Sequence, residues 1–419
     1  MNRTLACVAA LSLAGCPVPV PAPAPCPDAG GPLDLVDAGP LDGGPSDAGS
    51  PPIGLPQIPK NLGHVMNPLT IVTIVAANET QAGALEAFAE AIPESGWWAA
   101  LSGEYGLGAP AVQHWTGPTL SGALGSADLT ALVQNAIAAG APAPTGNTLY
   151  LAFLPQGVTL AGTTDCGYHQ PYPDAFSTTG DVAAVIQRCS PFGSDSELDA
   201  MTQIASHEIA EGATDPNDRS YNLGTTPPLP WTRSVFRSYA PSGHVEVGDL
   251  CEGTRLREGD GGYSYQRIWS NAAAADGGDP CVPALPIAYY GLSGEQEWYA
   301  GSPGTPLSIP LAGWSSAPTA DWLVNPHWVN WTGGFAKLTP SDVSLTTSLG
   351  VPVIGSCNDP HPAMNVGASA TLRVTVPPTA ASGDYVVFSV HSFRWDPTSC
   401  NQPDGEDADH QLLVGVYVP

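Results

Sequence analysis

The run Leu69-Thr-Ile-Val-Thr-Ile-Val-Ala-Ala77 is β-branched and continuous enough to form a buried strand, and it sets the kind of fold that can follow. Glu79 to Ile92 then carries apolar positions at helical spacing, and the spacing returns over Ser126 to Ala139, with Ser126 as the expected cap. Further strands are predicted at Thr148 to Leu154 and Asp181 to Gln187. A third helix is predicted from about Ser196 to Ala213, started by Ser194 with Glu197 three residues on and stopped before Asp215-Pro216. Strands mixed with helices favour a layered α+β domain, expected over residues 60–285.

From about Ile287 the helical periodicity gives way to alternation, clearest in Ala370-Thr-Leu-Arg-Val-Thr-Val-Pro377 and Tyr385-Val-Val-Phe-Ser-Val390 on either side of the turn Ala381-Ser-Gly-Asp384. This predicts a second, all-β domain over 286–419, an immunoglobulin-like sandwich. His361, His391 and His410 within it read as surface or packing histidines.

The amino terminus points outside the cytoplasm. Arg3, an apolar run from Leu5 to Leu13, and then Leu13-Ala14-Gly15-Cys16 resemble a bacterial lipoprotein signal over residues 1–16, with Cys16 as the lipidated residue and membrane anchor. Residues 17–59 are dominated by Pro, Ala, Gly and Asp, with Asp-Ala-Gly at 28–30, 37–39 and 47–49, and are expected to form a disordered spacer. Export favours disulfides. Among the cysteines beyond Cys7, Cys16 and Cys26, sequential neighbours give Cys166–Cys189, Cys251–Cys281 and Cys357–Cys400 as the expected pairs, although six cysteines allow 15 connectivities. A net charge of −27 with 12 Lys plus Arg argues against nucleic acid or anionic lipid as an electrostatic partner and favours divalent cations.

The stretch Ser206-His207-Glu208-Ile209-Ala210-Glu211 carries the chemistry. Residues four apart share a helix face, so His207 and Glu211 can chelate one ion while Glu208 stands beside them. This is the layout of the HExxH metallohydrolase helix with its second histidine replaced by a carboxylate, itself a competent zinc ligand. Leu198, Met201, Ala205 and Ile209 form an apolar stripe on the opposite side. A third ligand is expected from His244-Val-Glu246-Val-Gly-Asp249-Leu-Cys251, read as a short strand and turn, with Asp249 first, Glu246 second and Asp215 third. His169, in Cys166-Gly-Tyr-His169, is a candidate ligand or oxyanion donor, and Tyr168 a candidate for the same donor part. Trp97, Trp98 and Trp115 are candidate pocket walls, with core packing the more ordinary role.

Trp97-Trp98-Ala-Ala-Leu-Ser-Gly-Glu-Tyr105-Gly-Leu-Gly, Cys166-Gly-Tyr-His169, the end of the 207–216 segment and Gly248-Asp249-Leu together resemble the phosphate-induced, EXORDIUM-like extracellular family over about residues 60–285. The likeness is closer to bacterial relatives that carry His-Glu-x-x-Glu-x-x-Thr-Asp-Pro and Glu-x-Gly-Asp-x-Cys. Plant members lack the His-Glu pair, so the resemblance implies an extracellular fold linked to cell-wall growth, and not a reaction. From the residues themselves we expect a surface-anchored zinc hydrolase acting on a protein or peptide, with Glu208 as base. The rival expectation is a non-enzymatic surface binding protein with a structural or vestigial site; a calcium site explains the histidine poorly.

Overall fold

The computed structural model describes residues 57–419 apart from 163–164, 174–178, 189–195, 224–244, 252–254, 259–261, 285–289, 295–297, 316–321, 328–343, 348–362, 365–368 and 395–409. Cys16, the signal segment, most of the spacer and the expected boundary at 285–286 fall outside the described residues, as do Cys189, Cys357, Cys400 and His361.

The chain is mixed α and β with several sheets. Strand β1 (Thr70–Ala76) leads into helices α1 (Ala82–Ala91) and α2 (Gly96–Tyr105), then strands β2 (Ala111–Gly117) and β3 (Ala123–Leu124), helix α3 (Ser126–Ala138), and strands β4 (Thr148–Phe153), β5 (Thr159–Leu160), β6 (Gly167–Pro171) and β7 (Val182–Ile186). The long helix α4 (Glu197–Thr214) follows. Five of these strands make one sheet in the order β2-β1-β4-β7-β6. All its pairings are parallel except the last, where the edge strand β6 runs antiparallel to β7.

The apolar runs that predict β1, β4 and β7 are continuous because both faces of the sheet are covered. Ile71, Val75, Leu149, Leu151, Phe153, Val182 and Ala184 join the core that contains residues of α1, α2 and α4. Val72, Ile74, Tyr150, Ala152, Ala183 and Val185 join the one that contains residues of α3. Each fully buried Leu or Phe contributes roughly 1.5–3 kcal/mol, so this double covering is the main apolar term holding the sheet.

Helix α4 departs from the expected two-sided amphipathic form. Its stripe of Leu198, Met201, Ala205 and Ile209 does join the core. The remaining positions from Ala200 onward are also buried or nearly so, His207 being the one of intermediate exposure, because the hairpin of β8 (Arg255–Glu258) and β9 (Tyr263–Gln266) supplies a second cover. Ser264 N donates to Thr202 Oγ1 and Gln266 N to Ser206 Oγ, which fastens β9 along the helix. Gly212 lets the helix sit close to the sheet: a Cβ there would come 2.9 Å from Leu149 Cδ1.

Two caps differ from expectation. Gly125, not Ser126, caps α3, its amide donating to Asp128 Oδ2. Ser196 caps α4, with Asp199 reaching back to it; Glu197 pairs with Arg188 instead. The residue that closes a capping box stands three positions after the cap, and from Ser196 that is Asp199.

After β9 come β10 (Ile268–Trp269), helix α5 (Asn271–Asp276) and β11 (Cys281–Val282). Strands β12 (Tyr290–Gly294), β13 (Trp298–Ala300), β14 (Pro306–Ser315), β15 (Trp322–His327), β16 (Ser344–Thr347), β17 (Ala363–Met364), β18 (Ser369–Thr375), β19 (Tyr385–Arg394) and β20 (His410–Tyr417) make two sheets, β12-β14-β18-β16 and β13-β20-β19-β15-β17. The alternation read over 370–377 is real: Leu372, Val374 and Val376 are buried while Arg373 between them is exposed. Gly301 stands where a Cβ would press on Val376 Cγ2 and Val416 Cγ1, so valines from the ends of both sheets meet at its backbone.

Candidate functional site

The helix α4, the edge strand β6 and the segment 245–251 bring His169, His207, Glu208, Glu211, Glu246 and Asp249 together. His207 Nε2 lies 3.0 Å from Glu211 Oε2, one helical turn on. His169 Nδ1 lies 3.0 Å from Glu208 Oε2 and 3.8 Å from Glu211 Oε2, and His169 Nε2 lies 3.8 Å from Glu246 Oε2.

The register of β6 explains the position of His169. It pairs with Ala184 of β7, whose side chain faces α4, whereas Tyr168 pairs with Val185 and packs on the α3 side. Tyr168 is therefore directed away from the cluster and does not supply the expected donor. Gly167 is required for the close approach, since a Cβ there would come 2.7 Å from Ile204 Cγ2 and 3.1 Å from Glu208 Oε1.

The described residues 245–251 do not form the expected strand. Among the described residues, 245–248 are irregular, and Asp249–Cys251 makes a 3₁₀ turn. Asp249 Oδ2 accepts from Glu246 N at 2.8 Å, a local side-chain bond that competes with extended pairing. The disulfide Cys251–Cys281 pins the turn as expected. Cys166 is disulfide-bonded too, and its expected partner Cys189 lies outside the described residues.

Gln266 was not legible in the sequence as a site residue. Its side chain bridges Gly248 O, at 2.8 Å from Nε2, and His207 Nδ1, which is 2.9 Å from Nε2 and 3.2 Å from Oε1. Trp97 Nε1 donates to the Gln266 carbonyl at 2.7 Å. Trp97 and Trp98 are thus core residues, one of them steadying the strand behind the cluster, and Trp115 belongs to the opposite edge strand β2. None of the three forms a wall of this site.

Asp215 closes the turn after α4, its carboxylate accepting from Arg219 N, Ser220 N and Asn222 Nδ2. It does not group with His207 and Glu211, but with Asp218 and Glu246 it makes a further set of carboxylates able to hold an ion.

The electrostatics are severe. Glu208, Glu211 and Glu246 are 5 %, 4 % and 7 % exposed, and one oxygen of Glu211 and one of Glu246, Oε1 in each, is buried without a hydrogen-bond partner. Burial raises the Glu246 pKa well above the usual carboxylate range, with the charges of Glu211, Asp215 and Asp249 adding to it. Burial would likewise raise Glu211, but His207 and His169 outweigh it and lower the net value. Burial would depress both histidines; the hydrogen bond and charge of Glu208 lift His169 to about 9, and Glu211 lifts His207 well above its ordinary value.

This donor set fits a divalent cation. Oxygen and imidazole atoms of His207, Glu211 and Asp249 fall within 4.8 Å of one another, as do those of His169, Glu211 and Glu246. A buried ionised carboxylate oxygen with no donor costs several kcal/mol unless a proton or a cation takes it.

No protein-family model matches the chain, and no curated protein matches it. Solved structures with partial likeness include WR4, a C. elegans MSP family member, at 7 % identity, covering 30 % of this chain and 97 % of that one with a TM-score of 0.20. AvmM, which catalyses macrocyclization in alchivemycin A biosynthesis, matches at 10 % identity over 32 % of this chain and 87 % of that one, TM-score 0.21. The ASH/PapD-like domain 7 of human CEP192 matches at 8 % identity over 33 % of this chain and 91 % of that one, TM-score 0.19. Likeness this slight carries no functional argument.

Proposed function

We propose that the protein is a zinc-dependent hydrolase, of peptidase type, exported and anchored to the bacterial envelope through a lipid on Cys16. The observation that carries the reading is the buried juxtaposition of His207, Glu211 and Asp249 with an unpartnered Glu211 Oε1 among them. Those three residues would hold the ion. When bound, zinc supplies Lewis-acid polarisation of a carbonyl and activation of water.

The chain's own residues do the rest. Glu208, on the next position of the helix, is the base: its Oε2 receives the proton and is backed by His169 Nδ1 at 3.0 Å. Gln266 holds the His207 ring at Nδ1, and with its Oε1 accepting Nδ1–H in the ion-bound form the ring would keep its Nε2 lone pair for the ion. The hairpin β8–β9 over α4 excludes water from the buried side of the cluster. We further read the two carboxy-terminal sheets as an immunoglobulin-like sandwich that has no part in the chemistry, and the chain as a relative of the bacterial EXORDIUM-like proteins.

The test is hydrolysis of casein or short peptides by purified protein of known zinc content. Activity should require zinc and vanish in Glu208→Gln with zinc retained. A zinc-loaded protein that cleaves nothing would assign the site a structural role instead.

A further inference from the structure

We propose that Glu211 is a bridging carboxylate between two divalent cations, one shared with His207 and Asp249 and the other with His169 and Glu246. The proposal rests on the metal reading above and deepens it: the site would be a two-ion centre.

The donor atoms divide into three sets: Glu211 is common to the two that contain a histidine, and the third, Asp215 with Asp218, joins the cluster through Glu246. Its Oε2 lies 3.0 Å from His207 Nε2 and 3.8 Å from His169 Nδ1, while its Oε1 is buried and unpartnered. A single ion held by His207, Glu211 and Asp249 would account for one set and leave Glu246 unexplained. Glu246 is buried, its Oε1 has no partner, and its Oε2 has His169 Nε2 at 3.8 Å.

The histidines are wired alike. A ligating imidazole commonly has its other ring nitrogen held by a carboxylate, carbonyl or similar group, which fixes the tautomer and aims the ligating atom. His207 has Nδ1 held by Gln266 and directs Nε2 at Glu211. His169 has Nδ1 held by Glu208 and directs Nε2 at Glu246. Each is oriented toward a different carboxylate.

Charge points the same way. Glu208, Glu211, Glu246 and Asp249 bring four negative charges into a largely buried cluster with neutral ligating histidines. Counting those four alone, one dication leaves a net charge of about −2 and two leave about none; Asp215 and Asp218 beside Glu246 add further negative charge on the side of the second ion. Paired ions clamping one substrate are a recurrent device for hydrolysing amides and phosphoesters.

The test uses the full chain loaded with excess Zn²⁺ or Co²⁺ and dialysed to constant metal content. Wild type should retain about two ions per chain, and Glu246→Gln and Asp249→Asn about one each. In the cobalt form, electron paramagnetic resonance should give a weaker signal per cobalt in wild type than in Glu246→Gln, because carboxylate-bridged ions couple. One ion per chain in wild type with an uncoupled cobalt spectrum would overturn the bridge while leaving a single-ion hydrolase intact. A folded chain that keeps no metal would overturn both. Since the wild-type stoichiometry and spectrum decide the matter, a variant that fails to fold does not obscure it.

Discussion

His169 Nδ1 lies 3.0 Å from Glu208 Oε2, joining residues 39 apart in sequence and tying the antiparallel edge of the main sheet to its long helix. The contact exists because β6 turns His169 toward α4 and because Gly167 lets the two elements approach. It places an imidazole behind the carboxylate proposed as the base.

Glu208→Gln keeps the shape and one hydrogen-bonding oxygen but cannot accept a proton. Turnover of peptide substrate should fall about 10²- to 10⁴-fold, the usual weight of general-base catalysis, with zinc content unchanged. Kinetics alongside elemental analysis of the same sample checks both halves.

Gly248→Ala probes the closeness of the 245–251 segment to the cluster. The added methyl would meet Glu211 Oε1 and His207 Nδ1 at 2.8 Å each, and neither can retreat into a packed helix. Zinc affinity should drop by about 10- to 100-fold, the range seen when groups around metal ligands are disturbed. Competition against a fluorescent chelator measures it.

How much of this was legible depended on chemistry type. Strands β1, β4 and β7 announced themselves because a doubly covered strand must be apolar at every position. The helix carrying His207 and Glu211 was readable from its period and its terminal Asp-Pro. Strand β6 was not, since Gly-Tyr-His-Gln-Pro has no β-branched residue; its place follows from pairing with β7 alone. Helix α2 was missed for the related reason that Trp97-Trp98 and Gly103 give no clear amphipathic phase. Gln266 offered no signal at all, because one amide at the end of Tyr-Ser-Tyr-Gln becomes meaningful only when β9 lies on α4.

Gln266→Leu tests the hold of this amide on the His207 ring. The backbone bonds of position 266 to Ser206 and Trp97 survive the change, so the fold should persist with little loss of melting temperature. The His207 ring loses its anchor, and zinc affinity should fall about 10- to 100-fold. Isothermal titration of the metal-free protein reads the change; an affinity equal to wild type would remove Gln266 from the site.

Cys251→Ser opens a disulfide that spans 30 residues and holds the turn bearing Asp249. On the chain-entropy view a loop of this length is worth about 3–4 kcal/mol, so the guanidinium midpoint should fall accordingly. Zinc affinity should fall with it, because Asp249 is no longer fixed.

If His207 and Glu211, one turn apart on α4, hold a divalent cation, the metal content of purified wild type beside His207→Ala will show it. Wild type should hold at least about one zinc tightly per chain, and His207→Ala should lose most of it. A wild-type protein that is fully folded yet free of metal after exposure to zinc, or a His207→Ala variant that retains the wild-type amount, would contradict it.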